Sequence, residues 1–89
     1  IGKKFHESPN VLHYGEQNSG QKLKSGMIFT VEPMINFGNF ETKTLKDGWT
    51  AVTKDKTLSA QFEHTVGVTQ EGYEIFTLSK KGLDFPPNL

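Results

Sequence analysis

Ser59-Ala60-Gln61-Phe62-Glu63-His64-Thr65-Val66 reads as a β-strand with a carboxylate in its middle. On period-two alternation, Phe62, His64, Val66 and Val68 share one face, and Glu63, Thr65 and Gly67 share the other. A glutamate among β-formers and away from any turn signal needs an explanation. Burying an unpaired carboxylate costs several kcal/mol, so Glu63 has to be solvated, paired, protonated or bound to a metal.

Outward from this stretch the chain stays β-like. Residues 27–31 (Met-Ile-Phe-Thr-Val) predict a second strand, which runs into Glu32 and is stopped by Pro33. Residues 36–39 are turn-like. Segments 41–46 and 49–53 flank Asp47-Gly48, the strongest short hairpin signal in the chain. Residues 54–57 form a charged loop, and Gln70-Glu71-Gly72 turns the Glu63 strand back into residues 73–78 as a second hairpin. Toward the N-terminus, residues 11–14 predict a short strand. Residues 1–9 and 15–26 carry Gly2, Pro9, Gly15, Gly20 and Gly26 and read as loops. Residues 79–89 read as a surface tail. No long helical period occurs, and the pattern is that of a mostly antiparallel β unit. So few helices to cover the sheet faces suggest that part of the domain lies elsewhere.

Bulk properties narrow the function. The chain has 89 residues, enough for about one small domain. Ten basic and ten acidic side chains cancel, and no basic block offers a footprint for nucleic acid. The absence of cysteine removes disulfides and thiolate metal sites. No apolar run approaches the roughly 20 residues of a membrane span, and no signal peptide is recognisable. The first residue is Ile1, so a fragment or a processed chain is expected. A cytoplasmic protein is the default.

Glu32, like Glu63, interrupts an apolar strand pattern. Either one alone is accounted for as a solvated residue near a strand end. Two of them in the two most β-like segments point further, because facing side chains on adjacent strands lie about 5 Å apart. Two carboxylates at that distance can share one or two cations, and without a metal both could not ionise cheaply. His6 sits in a glycine- and proline-bounded loop of the kind that often carries function, although a surface histidine is the plainer account. His13, in a predicted strand, reads as structural. His64 should face away from Glu63, and Glu7 reads as a solvated loop charge. Phe5 and Trp49 are the aromatics nearest polar, turn-rich sequence, and core packing is their commonest role. Phosphate loops, G-x-G-x-x-G, G-x-S-x-G and H-E-x-x-H are absent.

Four motifs carry a more specific resemblance: Phe5-His6-Glu7-Ser8-Pro9-Asn10-Val11-Leu12-His13-Tyr14, Met27-Ile28-Phe29-Thr30-Val31-Glu32-Pro33-Met34, Lys46-Asp47-Gly48-Trp49-Thr50, and Thr53-Lys54-Asp55-Lys56-Thr57-Leu58-Ser59-Ala60-Gln61-Phe62-Glu63-His64-Thr65. In this order, from residue 1 to about residue 78, they resemble type I methionine aminopeptidase. Met34 after the Glu-Pro pair and His64 after the last glutamate favour it over the proline-specific aminopeptidases of the same fold.

The resemblance implies an α+β "pita-bread" fold, of which residues 1–89 would be the C-terminal portion of a single catalytic domain and 79–89 its tail. It implies two divalent metal ions (Co, Mn, Fe or Zn) held by two aspartates, a histidine and two glutamates. Glu32 matches a ligand that also handles protons, and Glu63 matches the carboxylate bridging both ions. His6 matches a residue that hydrogen-bonds the scissile amide, and Phe5 and Trp49 match aromatics lining the methionine pocket. Ser59 matches a position near a monovalent-cation site. The implied activity of the whole enzyme is removal of the initiator methionine from nascent polypeptides, by a cytoplasmic monomer without membrane or nucleic-acid partners. The remaining ligands belong upstream of Ile1 in the family, so residues 1–89 alone are expected to be inactive, with Glu63 an exposed charge. A non-catalytic peptide- or protein-binding module of the same fold is the alternative.

Overall fold

The computed structural model describes residues 1–83. Seven strands occur among them: β1 (Ile28–Val31), β2 (Met34–Asn36), β3 (Thr42–Thr44), β4 (Ala51–Thr53), β5 (Ser59–Gln61), β6 (His64–Val68) and β7 (Tyr73–Ile75). All pairings are antiparallel, and no helix occurs among the described residues. The chain divides into two compact units. One comprises Ile1–Val31 with the segment from Glu63 on, and the other comprises Glu32–Phe62.

In the first unit β6 lies between β1 and β7. Phe29 pairs with Val66, which pairs in turn with Ile75, so three apolar side chains cross one face of the sheet. Phe29 is 8% exposed and is the buried hydrophobic residue of this unit. The ladder continues past the strand ends, with Val68 N–H donating to Met27 O and Gly26 N–H to Val68 O, both at 2.9 Å. On the opposite face Gly67 pairs with Ile28 and Glu74. A Cβ at Gly67 would stand 2.5 Å from Cζ of Phe76, so the missing side chain is what lets that ring lie over the strand.

The second unit contains two two-stranded ladders, β2 with β5 and β3 with β4. Met34 pairs with Gln61, Ile35 with Ala60 and Asn36 with Ser59. Thr42 pairs with Thr53, Lys43 with Val52 and Thr44 with Ala51. A surface ion pair, Lys54 Nζ to Glu41 Oε2 at 3.5 Å, closes the open end of the second ladder and contributes little.

Both expected hairpins form, but several local expectations need correction. Residues 59–66 are not one strand: they split into β5 and β6, with Phe62 and Glu63 between them. Residues 34–36 form β2, where no strand is expected after Pro33. Residues 11–14 form no strand. They have no ladder partner among the described residues, and a lone extended segment gains nothing from β propensity. His13 is therefore an exposed loop residue rather than a strand residue. Of the expected tail, residues 84–89 lie outside the described residues.

Candidate functional site

The two glutamates occupy the two strand interruptions. Glu32 follows the last residue of β1 and precedes Pro33, which lacks an N–H and cannot donate to a ladder. Glu63 precedes the first residue of β6. Val31 and His64, their covalent neighbours, are Cα partners. Both carboxylates are exposed, Glu63 as expected. Being outside the ladders frees their backbones from strand alternation, so the face assigned to Glu63 from a regular strand does not apply. His64 Nδ1 lies 2.9 Å from Thr77 Oγ1, and Thr65 N–H donates to the same hydroxyl oxygen at 3.0 Å. That pair ties the start of β6 to the residues just beyond β7.

His6 and Phe5 lie together in the first unit, their ring centroids 4.3 Å apart with the planes tilted by 49°. The loop that carries them is braced by Glu7, whose Oε2 accepts from Lys4 N–H at 3.0 Å. Glu7 is half-buried, not the freely solvated charge expected of it.

Trp49 belongs to the second unit, on the turn between β3 and β4. This turn is longer than the two-residue loop that Asp47-Gly48 predicts. Leu45 N–H donates to Thr50 O at 2.8 Å and Gly48 N–H to Leu45 O at 3.0 Å, so residues 46–49 form a four-residue loop. Gly48 takes φ 70°, a left-handed conformation that favours glycine. Asp47 accepts from Trp49 N–H, Thr50 N–H and Thr50 Oγ1.

The Ser59 hydroxyl donates to Asn36 Oδ1 at 2.8 Å, across a register pair of β2 and β5. Nearby, Asp55 accepts from Asn39 N–H at 2.8 Å and from the Thr57 hydroxyl at 2.7 Å, while Thr57 Oγ1 accepts from Gly38 N–H at 3.1 Å. The loop 37–40 is thus clamped to the loop 54–58. A Cβ on Gly38 would overlap Asp55 and Thr57. None of Asp47, Asp55, Thr57 and Asn36 stood out as a site residue in the sequence. The available signal was local: Asp two residues before a potential N–H or hydroxyl donor, at both 47 and 55.

These bonds lower the carboxyl pKa of both aspartates below the ordinary value. For Asp47 the main cause is the Thr50 hydroxyl and for Asp55 the Thr57 hydroxyl, with backbone N–H groups adding to each. A lowered folded value means that the charged form holds the turn. The stabilisation is complete above the ordinary Asp value near 3.8 and disappears as pH falls through the lowered one. Amide shifts of Trp49 and Thr50 are therefore expected to stay constant from neutral pH down to about pH 5 and to move only below the usual carboxylate range. A midpoint at or above 3.8 would contradict the hydrogen-bond account.

Among the described residues no three His, Cys, Asp or Glu side chains gather into a metal-binding group. None of the helices required for a membrane span is present among them either. Of the residues expected at the site, Glu63 and His6 belong to the first unit and Glu32 to the second, and all three are exposed.

Residues 1–70 match the family described as metallopeptidase family M24, and the chain belongs to that family. Within it the similarity is to methionine aminopeptidases, in agreement with the motifs. The chain is 62% identical over 88 residues to the methionine aminopeptidase of Rickettsia prowazekii, covering 98% of this chain and 34% of that protein. It is 58% identical over 80 residues to the Escherichia coli K12 enzyme, covering 90% and 30%. Among solved structures, the Rickettsia prowazekii methionine aminopeptidase superposes with TM-score 0.82 at 62% identity, over 88% of this chain and 32% of that one. The Thermotoga maritima enzyme gives TM-score 0.77 at 42% identity, over 83% and 30%. The chain thus has the fold of this part of a methionine aminopeptidase, and it spans about a third of the length of the relatives it matches.

Proposed function

We propose that the whole protein removes the N-terminal methionine from nascent polypeptides, and that this chain forms the C-terminal portion of its single catalytic domain. The observation that carries this reading is the 62% identity across 98% of the chain to a protein named methionine aminopeptidase. In this reading the enzyme is cytoplasmic and monomeric, takes peptides with N-terminal methionine, and engages neither nucleic acid nor membrane.

Two divalent ions (Co, Mn, Fe or Zn) would be held by Glu32 and Glu63 with ligands from outside this chain, Glu63 bridging them. The donor chemistry fits, because exposed carboxylate oxygens suit such ions. Glu63 makes no hydrogen bond or ion pair among the described residues that would compete. When bound, the ions would supply a water of low pKa and a positive clamp for the oxygens of the reacting carbonyl.

The remaining work falls to side chains of this chain. Glu32 takes a proton from the attacking water and returns it to the leaving amine. His6, steadied by the Phe5 ring 4.3 Å away, hydrogen-bonds the scissile amide as charge develops there. Phe5 and Trp49 wall the methionine pocket, where each thioether–aromatic contact contributes about 0.3–1.5 kcal/mol. Ser59, fixed by Asn36, stands near a monovalent-cation position.

A graft tests this, with the chain replacing the matching third of the Rickettsia prowazekii enzyme. Glu32→Gln in the graft keeps one oxygen donor but removes the proton acceptor. It is expected to lower kcat roughly 10²- to 10⁴-fold on a methionyl peptide, with KM within about threefold. A kcat within about twofold of the parent graft would defeat the assignment.

A further inference from the structure

We propose that Asp47 is a positioning residue for Trp49: its carboxylate locks the turn of residues 45–50 and so sets the direction in which the indole leaves the backbone. The proposal rests on the reading of Trp49 as a wall of the methionine pocket.

Three donors converge on Asp47. Trp49 N–H donates to Oδ1 at 3.0 Å, Thr50 N–H to the same oxygen at 2.9 Å, and Thr50 Oγ1 to Oδ2 at 2.5 Å. The first two belong to the two peptide planes on either side of the Trp49 Cα. Tying both planes to one oxygen restricts φ and ψ of Trp49 together, and these angles fix where its Cα–Cβ bond points. Trp49 is 76% exposed, so burial alone does not fix its position. Hairpin closure does not require the carboxylate. The Leu45 and Gly48 N–H bonds already close the loop, and the left-handed Gly48 accommodates its bend. What Asp47 adds is control of the one residue between that glycine and the closing pair. Hydrogen bonds to a charged acceptor are the stronger kind, so the restraint is substantial even on an exposed turn.

The test uses the graft, with KM, kcat and metal content measured on a methionyl peptide. Asp47→Ala is expected to raise KM roughly three- to tenfold, with kcat within about twofold and metal content unchanged. Asp47→Asn retains a side-chain oxygen for the two backbone donors and is expected to restore most of the parent KM. Trp49→Ala is expected to raise KM, and adding Asp47→Ala to it to change nothing more, because the two act through one contact. Thr50→Val removes only the hydroxyl donor and is expected to raise KM by roughly two- to threefold; it decides the matter where Asp47→Ala does not fold. A raised KM in Trp49→Ala beside a parent-like KM in Asp47→Ala or Thr50→Val would overturn the positioning role alone, as would full additivity of the Asp47 and Trp49 changes. A parent-like KM in Trp49→Ala would overturn the pocket reading and the positioning role with it.

Discussion

A polypeptide of residues 1–89 on its own is expected to bind no dinuclear metal centre and to release no methionine from any peptide. Two carboxylates do not make a site that holds two divalent ions, since each ion needs four or more donors in a fixed geometry. The folding physics points the same way. Phe29 is the buried hydrophobic side chain among the described residues, and in the unit Glu32–Phe62 no residue is buried. Met34, Ile35, Phe37, Phe40, Leu58 and Phe62 are all exposed there. Exposed apolar surface of this extent is usually covered by another part of a protein. Without that cover, little hydrophobic free energy offsets the conformational entropy of ordering the chain. The isolated polypeptide is therefore also expected to unfold without a sharp cooperative transition. Calorimetric titration with Mn²⁺ or Co²⁺ checks the first expectation, and two tight sites would contradict it.

Glu63→Ala in the graft is expected to lose activity and metal together. If Glu63 is a ligand to both ions, as proposed, its removal would leave each short of a donor and take away negative charge that offsets their repulsion. Turnover should fall at least about 10³-fold, beyond what removal of a proton acceptor alone gives at the low end of its range. Metal content should fall to one ion or fewer per molecule. Glu63 lies in a gap between strands and makes no ladder bond, so the substitution should leave β5 and β6 intact and the loss attributable to the carboxylate. Full occupancy with ordinary turnover would remove Glu63 from the metal site.

Where sequence reasoning succeeded, the signals were local. Ile28, Phe29, Thr30 and Val31 are β-formers bounded by Gly26 and Pro33, and they form β1. Asp47-Gly48 and Gln70-Glu71-Gly72 both turn the chain back on itself. Where it failed, the deciding fact was a partner distant in sequence. Residues 11–14 have strand composition but nothing to pair with. Residues 34–36 follow a proline yet form β2, because β5 lies opposite them. The alternation running through Ser59 to Val66 hid a break at Phe62 and Glu63, since periodicity registers side chains and not which ladder each residue joins. The break itself is informative: Glu63 is not an awkward charge inside a strand but a residue held between two.

The candidate site divides in the same way. Pattern alone yielded two out-of-place glutamates and an ambiguous His6, and it was the order of four motifs that connected them. What no motif conveyed was the hydrogen bonding that holds the neighbours: Asp47 under Trp49, Asn36 on Ser59 and Glu7 beneath the loop of Phe5 and His6. Such bonds depend on angles that composition does not specify.

The central claim is that this chain supplies one part of a two-metal aminopeptidase site and depends on the rest of the enzyme for the remainder. The most direct measurement is metal content and methionine release by the unsubstituted graft, made side by side with residues 1–89 alone. The account predicts two ions per molecule and release of N-terminal methionine from the graft, and neither from the isolated chain. A folded, fully metallated graft that releases no methionine, or an isolated chain that does, would contradict it.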